Sequence, residues 1–293
     1  MLNYFLITLM AIATFLSTTH TLQAQDEQEQ AEEETAEEEV SPWDLGGWFT
    51  LNGSQASFHN WAQGGNNNIT GTSTARFTAE YRKDRYVFTH STNLKYGQSR
   101  IDGNEFRKTD DEIRLRNQIR RMLDDERFSL IAQVNFNSQF DKGYDASRNN
   151  VISRFAAPAY FIETVGFAYN PDRSYQIDLG ISMRQTIVTD TTLSTRYGLK
   201  PGETIRNEGG ISLGLKAEKE IVTNVVYSGQ LETFSNLLEP LSSTSVRFTN
   251  ELIGKINSYL TANMQVAFVY DDNVTKELQI KQVISVGFSY RFL

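Results

Sequence analysis

Most of the chain after Trp48 alternates between apolar and polar residues with a period of two. In the last such segment the apolar face carries Ile280, Ile284, Val286, Phe288, Tyr290 and Phe292, and the polar face carries Lys281, Ser285, Gly287, Ser289 and Arg291. Successive side chains of a β-strand point to opposite faces, so this segment is predicted to be a strand with one apolar and one polar side.

Segments of this kind recur along the chain, and about twelve of them can be distinguished by their period. They span 47–58, 68–81, 85–97, 109–121, 126–139, 157–169, 173–187, 206–219, 221–234, 246–256, 258–270 and 280–292. Their length of roughly 11–15 residues exceeds the about 5–6 of typical soluble strands and fits a tilted strand that crosses a bilayer.

The connections between these segments are predicted to alternate between short and long. The short ones are 82–84, 123–125, 170–172, Glu220 and Asn257, and the long ones lie near 59–67, 98–108, 140–156, 188–205, 235–245 and 271–279. Bacterial barrels pair short periplasmic turns with longer extracellular loops. The pattern therefore predicts an all-β protein, an antiparallel up-and-down transmembrane barrel over residues 45–293, with both ends in the periplasm.

The N-terminus is predicted to direct the chain out of the cytoplasm. Tyr4 to Leu16 is an apolar run of signal-peptide length, and a cut after Ala24 gives a signal peptide over 1–24. An uncleaved membrane anchor is the alternative. The following acidic segment, 25–44, has no apolar face to bury and is expected to be a disordered periplasmic tail.

Composition narrows the possible classes of protein. The chain has no cysteine, which excludes disulfides and thiolate metal sites. Its net charge of −8 is concentrated in the acidic residues between Asp26 and Glu39, so the remaining chain is nearly neutral and gives no basic surface for nucleic acid. A mean hydropathy of −0.43 excludes a bundle of membrane-spanning helices, whereas a barrel exposes only every second residue to lipid.

One loop carries a family signature. Residues 53–67 read GSQASFHNWAQGGNN, in which Asn60, Trp61, Gly64 and Gly65 form an Asn-Trp-Ala-x-Gly-Gly turn between two strands. This segment resembles the signature of an uncharacterised Bacteroidetes outer-membrane β-barrel family, a domain of unknown function. The resemblance implies an outer-membrane location and assigns no activity. Trp61 is expected to be a structural anchor at the outer interface, with ligand contact as the alternative.

The lumen-facing residues include a column of arginines. If Ile113, Leu115 and Ile119 face lipid, the strand 109–121 points Arg114, Arg116 and Arg120 into the lumen. The adjacent strands face inward with uncharged residues, so these arginines must pair across the lumen or face water. Expected partners across the lumen are Asp178, Glu218 and Glu251.

Further inward basic residues are Arg76, Arg184, Lys216 and Arg247, and together with the arginine column they are the candidates for a selectivity element. Rings of arginine and lysine favour anions in pores. The alternative is a plug of ion pairs across a narrow barrel. About twelve strands lie between the filled barrels of eight and the open porins of sixteen, so the size leaves both open.

Catalysis is not expected from the sequence. A lipid-hydrolysing barrel of twelve strands needs a serine and a histidine at adjacent positions on the same face, but His90 has Thr92 there and its nearest serine, Ser91, points to the opposite face. His90 shares its face with Phe88 and Leu94, which favours a lipid-facing structural role. The acidic runs 110–112 and 271–272 lack the spacing of a defined calcium loop, so neither a metal nor a cofactor is expected.

Two functions follow from this pattern. The first is a channel or small-solute transport barrel, for which the inward basic residues suggest a preference for anions. The second is a non-enzymatic partner or scaffold barrel of an outer-membrane complex, and a lipid-modifying enzyme ranks third. The expected partners are the lipid bilayer, the outer-membrane assembly machinery, suggested by the aromatic-rich last strand, and a periplasmic or outer-membrane protein.

Overall fold

The computed structural model describes residues 41–57, 67–145, 147 and 149–293. The predicted signal peptide, nearly all of the acidic segment, and the signature residues Asn60, Trp61, Gly64 and Gly65 lie outside the described residues.

The strands are β1 Trp43–Ala56, β2 Asn68–Lys83, β3 Tyr86–Ile101, β4 Arg107–Met122, β5 Phe128–Ser138, β6 Gly143–Tyr144, β7 Val151–Ser153, β8 Ala159–Tyr169, β9 Tyr175–Ile187, β10 Ile205–Val222, β11 Val225–Asn236, β12 Ser245–Lys255, β13 Leu260–Asp271 and β14 Thr275–Arg291. All except β6 and β7 form one closed antiparallel barrel in chain order, in which β14 pairs with β1. The predicted twelve-stranded antiparallel barrel is confirmed. Among the described residues, no helix has the length and apolar character required to cross a membrane.

The barrel is apolar outside and polar inside, the reverse of a soluble protein. In β9 the outward Ile181 is 68% exposed, while the neighbouring inward residues Ser182 and Arg184 are buried. Glu163 lies on the outward face as the alternation of β8 requires, since it pairs in register with Val134 and Met183. The alternation of inward and outward side chains therefore continues through β8, although a carboxylate at Glu163 does not match the apolar outer face.

Two of the predicted long connections are wrong because the strands continue into them. The region 98–108 is mostly strand, since β3 and β4 extend past a bulge at Gly97 and leave only residues 102–106 unpaired. The region 271–279 shrinks to residues 272–274 by a similar irregularity near Asp271. The turn placed at Glu220 is at 223–224, where Asn224 has a φ of 66°, a conformation that asparagine tolerates.

Three loops at one end of the barrel fold together, and we call residues 151–158, 188–204 and 272–274 the mouth cap. Its buried apolar cluster consists of Ala157, Val188, Leu193, Tyr197 and Leu199, with Val274 packed against it. The Tyr197 hydroxyl donates to the carbonyl oxygen of Ile152 at 2.7 Å. Burial raises the pKa of Tyr197 above its usual range.

The mouth cap reaches across the barrel opening. Arg206, at the start of β10, donates to the carbonyl oxygen of Gly198 at 2.6 Å and to Asn273 Oδ1 at 3.0 Å. Gly198 ends a short 3-10 turn with a φ of 74°, which glycine adopts readily. Because Asn273 joins β13 to β14, the loop after β9 bridges strands that are not neighbours.

Candidate functional site in the barrel lumen

The arginine column of β4 points into the lumen, as predicted. Arg114 Nε lies 3.1 Å from Glu112 Oε1 on its own strand, and its Nη1 lies 3.8 Å from Glu232 Oε2 on β11. In the barrel order β11 lies five strands from β4. The pair Arg114–Glu232 therefore crosses the lumen, as the sequence required of these arginines, but with a partner that was not anticipated.

Arg116 is the centre of a second crossing. Its Nη2 donates to Asp178 Oδ2 on β9 at 2.8 Å, the predicted partner. Gln176 donates to both Asp178 oxygens at 2.8 Å, and Gln118 donates to Oδ2 at 3.4 Å. A carboxylate with this many donors is held in one position, so the Arg116 guanidinium is fixed too.

Three further candidates, Arg120, Arg76 and Lys216, form ion pairs at longer distances than Arg116. Arg120 Nη2 lies 3.8 Å from Glu80 Oε2, and Arg76 Nη2 lies 3.9 Å from Glu251 Oε2, a predicted partner. Lys216 pairs at 3.4 Å with Glu218 on its own strand instead of leaving Glu218 for the arginine column.

Arg184 belongs to a buried cluster under the mouth cap. Its Nε and Nη2 donate to Glu208 Oε2 and Oε1 at 2.9 and 3.1 Å, a bidentate geometry. Its Nη1 donates to Ser245 Oγ at 2.8 Å and lies 3.6 Å from Asp271 Oδ2. The guanidinium carbon is 4.2 Å from the centroid of the Phe234 ring.

Arg247 differs from the other candidates. It lies between Glu232 of β11 and Val269 of β13 in register, and no carboxylate of the described residues lies within ion-pair distance of it. Within the described residues it is thus the candidate without a direct ion pair, although Glu232 lies opposite it on β11 and its charge acts on Glu112. For this reason it is the clearest single position at which lumen charge can be varied.

The lumen also contains polar atoms that have no protein partner. The Oδ1 atoms of Asn93, Asn135 and Asn137 are buried and accept no hydrogen bond from any described residue. They flank the arginine column, since Asn93 and Asn137 pair with Arg114 in register and Asn135 pairs with Arg116. Buried polar groups of this kind require water or a polar solute.

The sequence missed Glu112, Glu232 and Glu80 as arginine partners. The prediction rested on the inward residues of the two strands beside β4, whereas Glu112 lies two residues from Arg114 on the same face. That spacing was readable from the sequence. The described residues contain no group of three His, Cys, Asp or Glu side chains that could hold a metal ion.

Comparison with known proteins gives a match to one family model over part of the chain and several solved structures of low similarity. Residues 54–144 match a family model described as a protein of unknown function (DUF3078). No curated protein matches the chain. Among solved structures, the COG4313 outer membrane channel of Pseudomonas putida F1 is 10% identical, with a TM-score of 0.41, over 89% of this chain and 99% of that one.

Two further solved structures have comparable likeness. The translocator domain of the autotransporter NalP from Neisseria meningitidis is 13% identical with a TM-score of 0.35, over 99% of this chain and 95% of that one. The KdgM porin is 10% identical with a TM-score of 0.35, over 83% and 98%.

Proposed function

We propose that the chain is an outer-membrane barrel that passes small polar solutes, with a weak preference for anions. The observation that carries the proposal is the inverted distribution of polarity around a closed sheet. Apolar side chains such as Ile181 and Ile284 are 68% and 71% exposed on the outer face, which suits contact with lipid. The inner face carries charged and amide groups, which suit water and polar solutes.

The passage is narrow because ion pairs cross it. Arg114–Glu232, Arg116–Asp178 and Arg76–Glu251 each join strands that are not neighbours. Most inward cations are therefore neutralised, which limits the preference for anions. The unpaired charge of Arg247 and the unpartnered amide oxygens beside Arg114 supply the remaining polarity for a solute.

The test is ion selectivity in a planar bilayer under a salt gradient. In the double variant Arg114→Glu, Arg116→Glu the lumen gains negative charge beside Glu112, Glu232 and Asp178, so the reversal potential should shift from anion to cation preference. The single variant Arg247→Glu should shift it in the same direction without breaking an ion pair. Arg121→Glu, on the outward face of β4, is the matched control.

An unchanged reversal potential in both lumen variants would contradict the selectivity proposal. Heat-modifiable migration in electrophoresis establishes that each variant has closed its barrel.

The second candidate is a partner barrel of an outer-membrane complex, and the mouth cap favours it. Its buried apolar cluster around Leu193 and Tyr197 gives the loops a defined surface on which another protein could rest. Purification in mild detergent should then retain a stoichiometric partner. A clean monomer from the native membrane would count against this function.

A further inference from the structure

Three outward-facing side chains on β3 and β4 form a chain of hydrogen bonds. His90 Nε2 lies 2.8 Å from Thr92 Oγ1, and His90 Nδ1 lies 2.9 Å from Asn117 Oδ1. His90 and Thr92 are two residues apart on one strand, and Asn117 pairs with His90 in register on the next strand. All three therefore share the face that points away from the lumen.

With the Asn117 carbonyl oxygen facing Nδ1, one tautomer of the imidazole satisfies both contacts. The Oδ1 atom of Asn117 can only accept, so Nδ1 of His90 carries the hydrogen and donates it. The other nitrogen, Nε2, is then unprotonated and accepts the hydroxyl hydrogen of Thr92. A nucleophilic hydroxyl is activated when it donates a hydrogen bond to an imidazole nitrogen and a third group orients the imidazole ring.

The surroundings suit a lipid substrate. Asn117 borders a groove of about 710 Å³ on the outer face, whose lining includes Ile119, Val134, Val165 and Ile181. Such a groove matches the size and polarity of an acyl chain. Its far side includes Glu163, whose Oε2 is buried without a hydrogen bond to any described residue.

The position of His90 relative to the membrane interface also suits an ester substrate. The Trp43 ring lies 4.9 Å from the Tyr81 ring in a tilted arrangement and 6.5 Å from the Phe88 ring in an edge-to-face arrangement, which makes an aromatic cluster at the short-turn end of the barrel. Aromatic rings of this kind mark the membrane–water interface. His90 is the next outward residue of β3 after Phe88, so it lies just inside the aromatic cluster, where lipid esters meet the hydrocarbon.

We propose that Thr92, His90 and Asn117 form a lipid-facing esterase site that cleaves acyl esters of bilayer lipids. The site is independent of the lumen, since Ser91 and Arg116 on the same strands point inward while these residues point outward. Catalysis was not expected from the sequence because threonine stands in place of serine. The observed contacts give that threonine both a base and an orienting group.

The chemistry balances with water as the second reactant. Thr92 Oγ attacks the ester carbonyl as His90 Nε2 takes its proton, and collapse of the tetrahedral adduct breaks the bond to the alcohol oxygen. The departing lysolipid receives the proton from His90, which leaves an acyl-threonine. Water then attacks that ester with His90 as base, the proton returns to Thr92 Oγ, and the fatty acid is released.

The test is fatty acid release from phosphatidylcholine in mixed detergent micelles by the refolded full chain. Thr92→Val keeps the shape and loses the hydroxyl, so release should fall at least about 100-fold, and His90→Gln should fall similarly. Thr92→Ser keeps the hydroxyl and removes a crowding methyl, so it should equal or exceed the wild type. A fluorophosphonate probe should add its mass to the peptide that contains Thr92.

Two controls match these variants. Ser91→Ala removes the neighbouring hydroxyl, which points to the opposite face. Tyr227→Phe removes a second hydroxyl of the outer face, which donates to Asn250 Oδ1 at 2.8 Å and has no histidine beside it as a base among the described residues. Both should release fatty acid at the wild-type rate. The proposal is overturned if folded wild type and Thr92→Ser release none above the blank, or if Thr92→Val retains release and probe labelling.

Discussion

Two arginines of the lumen are held in different ways. Between the neighbouring strands β9 and β10, the side chains of Arg184 and Glu208 are 5% and 7% exposed and form a bidentate pair. Across the lumen, between β2 and β12, the side chains of Arg76 and Glu251 are 46% and 21% exposed, and the ion pair has a distance of 3.9 Å. The first pair is shielded from solvent, whereas the second is partly exposed to it.

The difference in burial separates an ion pair that stabilises the barrel from one that can exchange its partner. A buried pair loses a large hydration energy and is stable only while both partners remain. An exposed pair contributes little and can exchange its partner for water or a solute. We infer that the buried pair Arg184–Glu208 braces the barrel under the mouth cap, and that the half-exposed pair Arg76–Glu251, which crosses the lumen, can open for polar solutes.

The largest effect on the free energy of unfolding is expected from Glu208→Ala. It leaves Arg184 buried without its bidentate partner, and Arg206 loses a carboxylate at 3.1 Å as well. The free energy of unfolding should fall by about 3–5 kcal/mol. Urea unfolding of the refolded barrel in detergent measures it, and a loss under about 1 kcal/mol would contradict a bracing role.

A smaller effect is expected at the mouth cap from Tyr197→Phe. This variant removes the hydrogen bond to Ile152 and keeps the packing of the ring, so the free energy of unfolding should fall by about 1 kcal/mol. The same change should loosen the cap and lengthen open times in single-channel records. Unaltered open times would show that the cap does not limit passage.

The smallest effect is expected from Glu251→Ala on the solvated side. Because Arg76 is half-exposed, losing its partner should cost at most about 1 kcal/mol of unfolding free energy. Selectivity should nevertheless move toward anions, since one lumen carboxylate is gone. A destabilisation as large as that of Glu208→Ala would contradict the difference between the two ion pairs.

The barrel itself was predictable because one physical requirement repeats along every strand. An apolar outer face and a polar inner face impose the period of two, and this period identified β9 and β14. The partners Asp178 and Glu251 followed from the same alternation, since it determines which charges point inward.

The parts that escaped prediction depend on contacts between distant loops. Nothing in the period of residues 188–204 shows that Leu193 and Tyr197 pack with Val274, which lies in a different connection. The strand extensions beyond Gly97 depend on a bulge that preserves pairing while shifting the register. The link from His90 to Asn117 required the register of β3 against β4, which alternation alone does not supply.

The most direct test of the transport account is the single-channel conductance of the refolded wild-type chain in a planar bilayer under a potassium chloride gradient. The account predicts small, stable unitary steps and a reversal potential displaced weakly toward anions. Absence of conductance from inserted, heat-modifiable barrels would contradict it, and would mean that the ion pairs and the mouth cap close the lumen.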